Sequence, residues 1–480
     1  MRLRFFIAML SATTLGCSQT VKPVTPPPAP IPPQFTSDER ARILDYWSQP
    51  SRYLLTPPAD AQTKGVWQVR LSVRGSTWLW NYNKARKVSA PPTENAQPAN
   101  SQQKNWETWV VAKLNRDRWD ALQAAQNANQ KLLGARLPVP DKTFPTSEPL
   151  QPGPIPDGLF ALAGNPPKFA EVVVPMEHDV VFDDITLSYQ DNIRVSNPRY
   201  PYYRFAHGLN SEGVAVKEMP SDRLDHLFRL AAVSDSEARI MRAVSLLEGG
   251  FDAVNTYDTG YVSVGFIQFA SLKEGAGSLG PFLLEYKTAN ADDFQRDLRQ
   301  YGIDVTPTGV LDVLDLQTGA ELLGPDAALK IVEDPRLIAT FQRAGLKSDS
   351  FIAGQIRSAK SQFYPADDIV RVTVSGQTLT GKVSDFIKSE AGMATLMDRK
   401  VNTGHLEPLT AILSDIATQA NVSSLSDLAS HEFEIVQRMK YRKNYLDDMT
   451  LSQPVASRLS RSNSLNSRGG GTRGSRGRAG

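Results

Sequence analysis

A single cysteine, Cys17, in a chain of 480 residues rules out any internal disulfide. Whatever this chain folds into must be held by packed apolar cores, and its 480 residues, 41% of them hydrophobic, suffice for about two or three. A formal net charge of +2 argues against a dedicated nucleic-acid binder. The histidines, at 178, 207, 226, 405 and 431, show no spacing to a serine or cysteine nucleophile. No glycine-rich phosphate loop or zinc-ligand spacing is present, so neither cofactor nor metal is expected. Oligomeric state is not legible.

At the N-terminus, Arg2 and Arg4 precede an apolar run from Phe5 to Leu10 and then small residues. This is the pattern of a secretory signal, too short for a stable transmembrane helix, and no later run is long and apolar enough for one. The segment ends in Thr14-Leu15-Gly16-Cys17, which resembles a bacterial lipobox with Thr14 where leucine is usual. The resemblance implies that residues 1–16 are removed and that Cys17 is lipidated, making the chain an envelope lipoprotein anchored to a membrane. Ser18 stands where an aspartate would favour the inner membrane, so an outer-membrane, periplasm-facing location is expected if the cell has two membranes. Residues 22–33, KPVTPPPAPIPP, should form an extended polyproline spacer, roughly 35 to 40 Å long.

Beyond the spacer, composition divides the chain. Residues 34–133 hold all seven tryptophans, Trp47, Trp67, Trp78, Trp80, Trp106, Trp109 and Trp119. Alternation from Val66 to Gly75 predicts a strand turning into a partner at Ser76–Tyr82, followed by a polar loop from Ala90 to Lys104 and a helix over Trp106–Leu133. Tryptophans can stack on sugars, but packing a core with the indole N–H satisfied is their commoner use. Residues 134–220 are rich in proline and turns, with strands expected at Ala170–Val174, His178–Phe182 and Asp191–Val195. The Glu177-His178-Asp179 and Asp183-Asp184 cluster lacks a second histidine at ligand spacing and reads as surface and turn chemistry. Residues 221–450 are mainly helical, with hairpins near Val310–Leu316 and Ile369–Val383. The fold class is therefore α+β: a mainly helical domain with small β-hairpins, preceded by a Trp-rich α+β region. Within the tail, 451–480, Arg458 to Gly480 contains six arginines and no acid. It is expected to be disordered, binding wall phosphates or anionic lipid, or simply solvated.

Ser234 to Phe269 carries the chemistry. Ser234-Asp235-Ser236-Glu237 has the form of a capping box, and Ile240, Met241, Val244 and Leu247 recur at helical spacing. The helix runs to Glu248 and stops at Gly249-Gly250. A carboxyl in the last turn faces the negative end of the helix dipole. With apolar neighbours such as Leu247 and Phe251 its pKa should rise, as a glycosidase acid requires. Asp258 and Ser263 then lie on a turn-rich hairpin expected to fold back opposite Glu248. Alternation places Tyr261, Ser263 and Gly265 on one face, the expected substrate face, and Val262, Val264 and Phe266 on the other.

Glu248-Gly249, Asp258, Ser263 and Gly265 resemble the pattern of phage-type lysozymes, in the lysozyme-like superfamily with chitosanases and lytic transglycosylases. The spacing from Glu248 to Ser263 equals that family's glutamate-to-threonine spacing, while Asp258 falls one residue late and Ser263 replaces threonine. Asp398-Arg399-Lys400-Val401-Asn402-Thr403-Gly404 resembles the closing helix and turn of chitosanase-like members, with an internal ion pair at Asp398 as the plainer alternative. The resemblance implies hydrolysis of peptidoglycan or a related β-1,4-linked amino-sugar glycan. Glu248 would be the acid, and Asp258 with Ser263 would activate water. Tyr257, Tyr261, Gly265, Gln268, Asp398 and Asn402 would contact substrate. A lytic transglycosylase, a chitosanase and a non-catalytic wall-binding lipoprotein remain alternatives.

Overall fold

The computed structural model describes residues 33–85, 100–134, 149–153, 163–191, 205 and 208–455. The expected signal, Cys17, the expected spacer up to residue 32, the Arg-rich tail, most of the expected Ala90–Lys104 loop and the strand expected beyond Asp191 lie outside them. The described residues form an α+β fold, mainly helical, with the strands in small antiparallel sheets. No described helix is long and apolar enough to cross a membrane.

Two apolar cores organise these elements. The smaller one is built by Leu71, Trp78, Leu79, Tyr82, Trp106, Trp109, Val110, Leu114 and Phe169. It sits between the helices Val73–Ala85 and Ser101–Leu133 and the paired strands Gln68–Leu71 and Ala170–Val173. Here the expected hairpin partner at Ser76–Tyr82 is corrected: that stretch is helix. Ser72 opens it, its Oγ accepting from Gly75 N at 2.9 Å and its carbonyl from Ser76 N at 2.8 Å. Trp78, Leu79 and Tyr82 then lie at helical spacing on the buried side, and the strand finds its partner a hundred residues later in sequence. No tryptophan is exposed. The indoles of Trp47, Trp78 and Trp109 donate to the carbonyls of Tyr301, Gly164 and Pro149.

The larger core runs from Phe35 to Leu451. The first helix, Ser37–Ser48, belongs to it and not to the tryptophan cluster: Trp47 packs edge-on against Phe182 and tilted against Tyr301. Glu39 binds Arg299 at 2.9 Å, and Arg40 pairs with Glu321. These contacts seat the helix against a three-stranded sheet, Ile303–Val305, Leu311–Leu314 and Glu321–Leu323, one strand more than the expected hairpin. The second hairpin, Ile369–Val374 with Gln377–Lys382, forms in register around Ser375-Gly376, both at positive φ. The helices Pro335–Lys347 and Asp349–Phe363 pack centrally, and Glu390–Thr403 lies against the helix Asp235–Ser245. This last contact brings the distal part of the chain to Glu248.

Candidate active site

The helix Asp235–Ser245 opens on the expected capping box, with Ser234 N donating to Glu237 Oε2 at 2.8 Å and Glu237 N to Ser234 Oγ at 3.3 Å. Its buried side is Ala238, Ile240, Met241, Ala243, Val244 and Ser245. It stops at Ser245, short of Glu248. A turn continues it, with Leu247 N bonded to Val244 O at 3.2 Å and Glu248 N to Ser245 O at 3.1 Å. Leu247 is exposed and does not bury the carboxyl.

The burial of Glu248 comes from the other end of the chain. Its side chain is only 12% exposed, and its Oε1 lies 2.5 Å from Arg442 Nη2. The Arg442 guanidinium is thus the cation that faces this oxygen. Arg442 is itself held by Asp398, whose Oδ1 accepts from Nε at 3.0 Å and also from Nη2. Asp398 is fully buried. Desolvation pushes the Glu248 carboxyl above the ordinary range, the Arg442 charge opposes this, and the Asp398 charge adds to it.

The second carboxyl stands on a four-stranded antiparallel sheet, ordered Asn210–Ser211, Val254–Asn255, Ser263–Val264, Phe269–Ala270. Asp258 lies in the turn between the middle strands, where Oδ2 accepts from Asn255 Nδ2 and Oδ1 from Gly260 N, both at 2.8 Å. A Cβ on Gly260 would lie 2.7 Å from Ser263 Oγ and 3.1 Å from Asp258 Oδ1. Both oxygens therefore flank one point that only glycine leaves open. Burial raises the Asp258 pKa, against the two donors that favour its ionised form.

Compared with known families, curated proteins and solved structures, the chain matches none.

The other expected site residues are distributed unevenly. Tyr257 is half-buried against the tryptophan core, its N–H bonded to Asn255 Oδ1 at 2.9 Å. Tyr261 is buried at φ 62° with its ring 4.9 Å from that of Phe205, so it packs the core and does not line a cleft. Gly265, at φ 83°, leaves room for Gln355, with whose amide a Cβ would collide. Gln268, at φ 56°, donates from Nε2 to Gly265 O at 3.0 Å and lies beside Gly249. Asp398 is the internal ion pair just described and has no surface for substrate. Asn402 is exposed at the end of its helix and accepts from Tyr441 Oη at 2.8 Å.

The face carrying Tyr261, Ser263 and Gly265 is not open as alternation suggested, because residues on both faces of this sheet are buried. Three non-glycine residues here, Tyr261, Gln268 and Leu272, adopt left-handed φ. Each costs about 1 to 2 kcal/mol, and such strain concentrates at functional sites.

Two contributors escaped the sequence reading. Arg442 stands in a cationic run, Arg438-Met439-Lys440-Tyr441-Arg442-Lys443, where nothing separates it from its neighbours. Tyr445 is fully buried close enough to Asp398, Arg442 and Glu248 to feel their charges. The acidic cluster near His178 is also more structured than expected. His178 is buried, with Nδ1 2.7 Å from Tyr53 Oη and Nε2 2.9 Å from Asp191 Oδ1, while Asp183 and Asp184 pair with Arg52 and Arg343. Among the described residues no group of His, Cys, Asp and Glu side chains could hold a metal ion.

Proposed function

We propose that this chain is an envelope lipoprotein that hydrolyses β-1,4-glycosidic bonds of peptidoglycan or a related amino-sugar glycan, held at the membrane by lipid on Cys17. The observation that carries the reading is Glu248: a desolvated carboxyl with a raised pKa, backed by an arginine and placed where a helix runs into a small sheet bearing a second carboxyl. Protonated Glu248 delivers its proton to the leaving glycosidic oxygen, and Arg442 stabilises the carboxylate left behind. Asp258 takes the proton of an attacking water that Ser263 helps to orient, and solvent returns both groups to their starting states.

One observation favours a second reading. Burial raises the Asp258 pKa too, which lowers the fraction of it that is ionised and free to take a proton from water, and suits a lytic transglycosylase, where one glutamate makes both proton transfers. Incubating the full-length protein with peptidoglycan and with chitosan, followed by mass analysis, decides between them. Reducing ends that vanish in Asp258→Asn support the hydrolase. Anhydromuramyl ends that persist in Asp258→Asn support the transglycosylase. Sacculus binding without turnover, unchanged in Glu248→Gln, would make the protein a binder and sink both.

A further inference from the structure

We propose that Gln355, on the helix Asp349–Phe363, is a positioning residue that sets the spacing between the turn bearing Glu248 and the strand bearing Ser263, an inference that rests on the glycosidase reading. Gln355 has no exposed surface. Its Nε2 donates to Phe251 O at 2.8 Å, and its Oε1 accepts from Phe266 N at 3.2 Å. Phe251 directly follows Glu248-Gly249-Gly250, and Phe266 follows Ser263-Val264-Gly265. One amide therefore joins the two segments that carry the proposed acid and the hydroxyl beside the proposed base. The rings of Phe251 and Phe266 meet at 4.8 Å on the same link.

Glycine makes this link possible from two directions. A Cβ on Gly265 would strike the Gln355 amide, and one on Gly345, in the neighbouring helix Pro335–Lys347, would strike Phe251 O. That neighbouring helix supplies a second buried glutamine to the same sheet: Gln342 donates to Ser211 Oγ at 2.9 Å and accepts from Tyr189 Oη at 2.5 Å. A neutral amide suits the position because it offers a donor and an acceptor together without burying a charge. An aliphatic side chain there would leave a buried carbonyl and a buried N–H unpaired.

Two-carboxyl glycoside cleavage depends on the separation and aim of its groups, and a displacement of about 1 Å can lower the rate by about 10²-fold. The test uses full-length protein, with Gln355→Met, Gln355→Glu and Glu248→Gln assayed on peptidoglycan and the Glu248 carboxyl titrated by ¹³C NMR. Gln355→Met should remain folded, lose about 10²-fold in kcat with KM changed by less than about threefold, and let Glu248 titrate closer to the ordinary range as water reaches the turn. In Gln355→Glu the protonated acid reproduces both the donor and the acceptor. Its kcat per folded molecule should therefore recover at acid pH and fall as that carboxyl ionises, a pH profile that loss of packing alone does not produce.

Wild-type kcat and KM in Gln355→Met, or activity lost only in proportion to unfolded protein, would overturn the positioning role. Full activity in Glu248→Gln, or no turnover by the wild type, would instead overturn the glycosidase reading. In that event the NMR titration decides for Gln355 by itself, and an unchanged Glu248 titration in Gln355→Met overturns the role.

Discussion

Glu248, Arg442 and Asp398 form a chain of alternating charge, so replacing Arg442 or Asp398 moves the titration of the proposed acid in a known direction. Glu248→Gln should lower turnover by about 10²- to 10⁴-fold, the usual contribution of a general acid, measured as release of soluble glycan. Asp398→Asn removes a charge that pushes Glu248 up, so the alkaline limb of kcat/KM should move to lower pH. Arg442→Gln removes the opposing cation, and the limb should move to higher pH. The same variant leaves buried Asp398 without its cation, a loss of about 3 to 5 kcal/mol that a denaturant titration would register. Of these residues Glu248 stood out in the sequence as a candidate, because a capping box opens the helix before it and Gly249-Gly250 follow it, although the helix itself ends at Ser245. Asp398 was legible only as a candidate. Arg442 was not, because a guanidinium in a basic run acquires its role from what packs against it.

At the scale of elements, a local signal placed one helix start: Ser234 caps its helix as the sequence implies, and Ser234→Ala should cost about 1 kcal/mol in thermal or chemical unfolding. The long helix expected from Trp106 begins earlier, at Ser101, capped by Asn100. Strand pairing was harder. Gln68–Leu71 alternates as a strand should, but its partner lies at Ala170–Val173, and nothing within a few residues of it selects that partner. The sheet Ile303–Leu323 shows what long-range pairing can impose. Asp304 and Asp312 face each other across it, both fully buried. Arg299 and Lys287 bind Asp304, whereas Asp312 lies against Glu321; burial, reinforced by that second carboxyl, pushes its pKa well above the ordinary carboxylate range. A carboxyl with a folded-state pKa raised in this way adds stability that is complete below the ordinary range and lost as pH rises through the raised value. Asp312→Asn should therefore flatten stability against pH across that window, as read from melting temperatures.

For the whole molecule, the helix Ser37–Ser48 lies at one end of the sequence but inside the larger core. Trp47, Phe35 and Ile43 pack with residues from Phe182 to Leu316, and the Arg299–Glu39 and Arg40–Glu321 pairs hold the helix to the sheet. A fragment covering 221–457 should accordingly melt well below the full chain or fail to unfold cooperatively. Trp47→Ala should destabilise the full chain by about 3 to 5 kcal/mol, measured by denaturant unfolding. Described residues from Gln34 on cluster as one compact unit.

What the sequence determined by itself was the chain's reliance on packed cores, its mainly helical α+β class and the Ser234 cap that starts the helix before Glu248. These follow from composition and from interactions within a few residues, which the chain carries wherever it goes. The tertiary structure alone decided that Glu248 is buried by Arg442 and Asp398 from the distal part of the chain. It alone turned the stretch from Tyr261 to Gly265 inward and made Gln355 the link between the segments of Phe251 and Phe266. Burial and charge pairing are properties of neighbours in space, and those neighbours lie about one hundred to two hundred residues away in sequence.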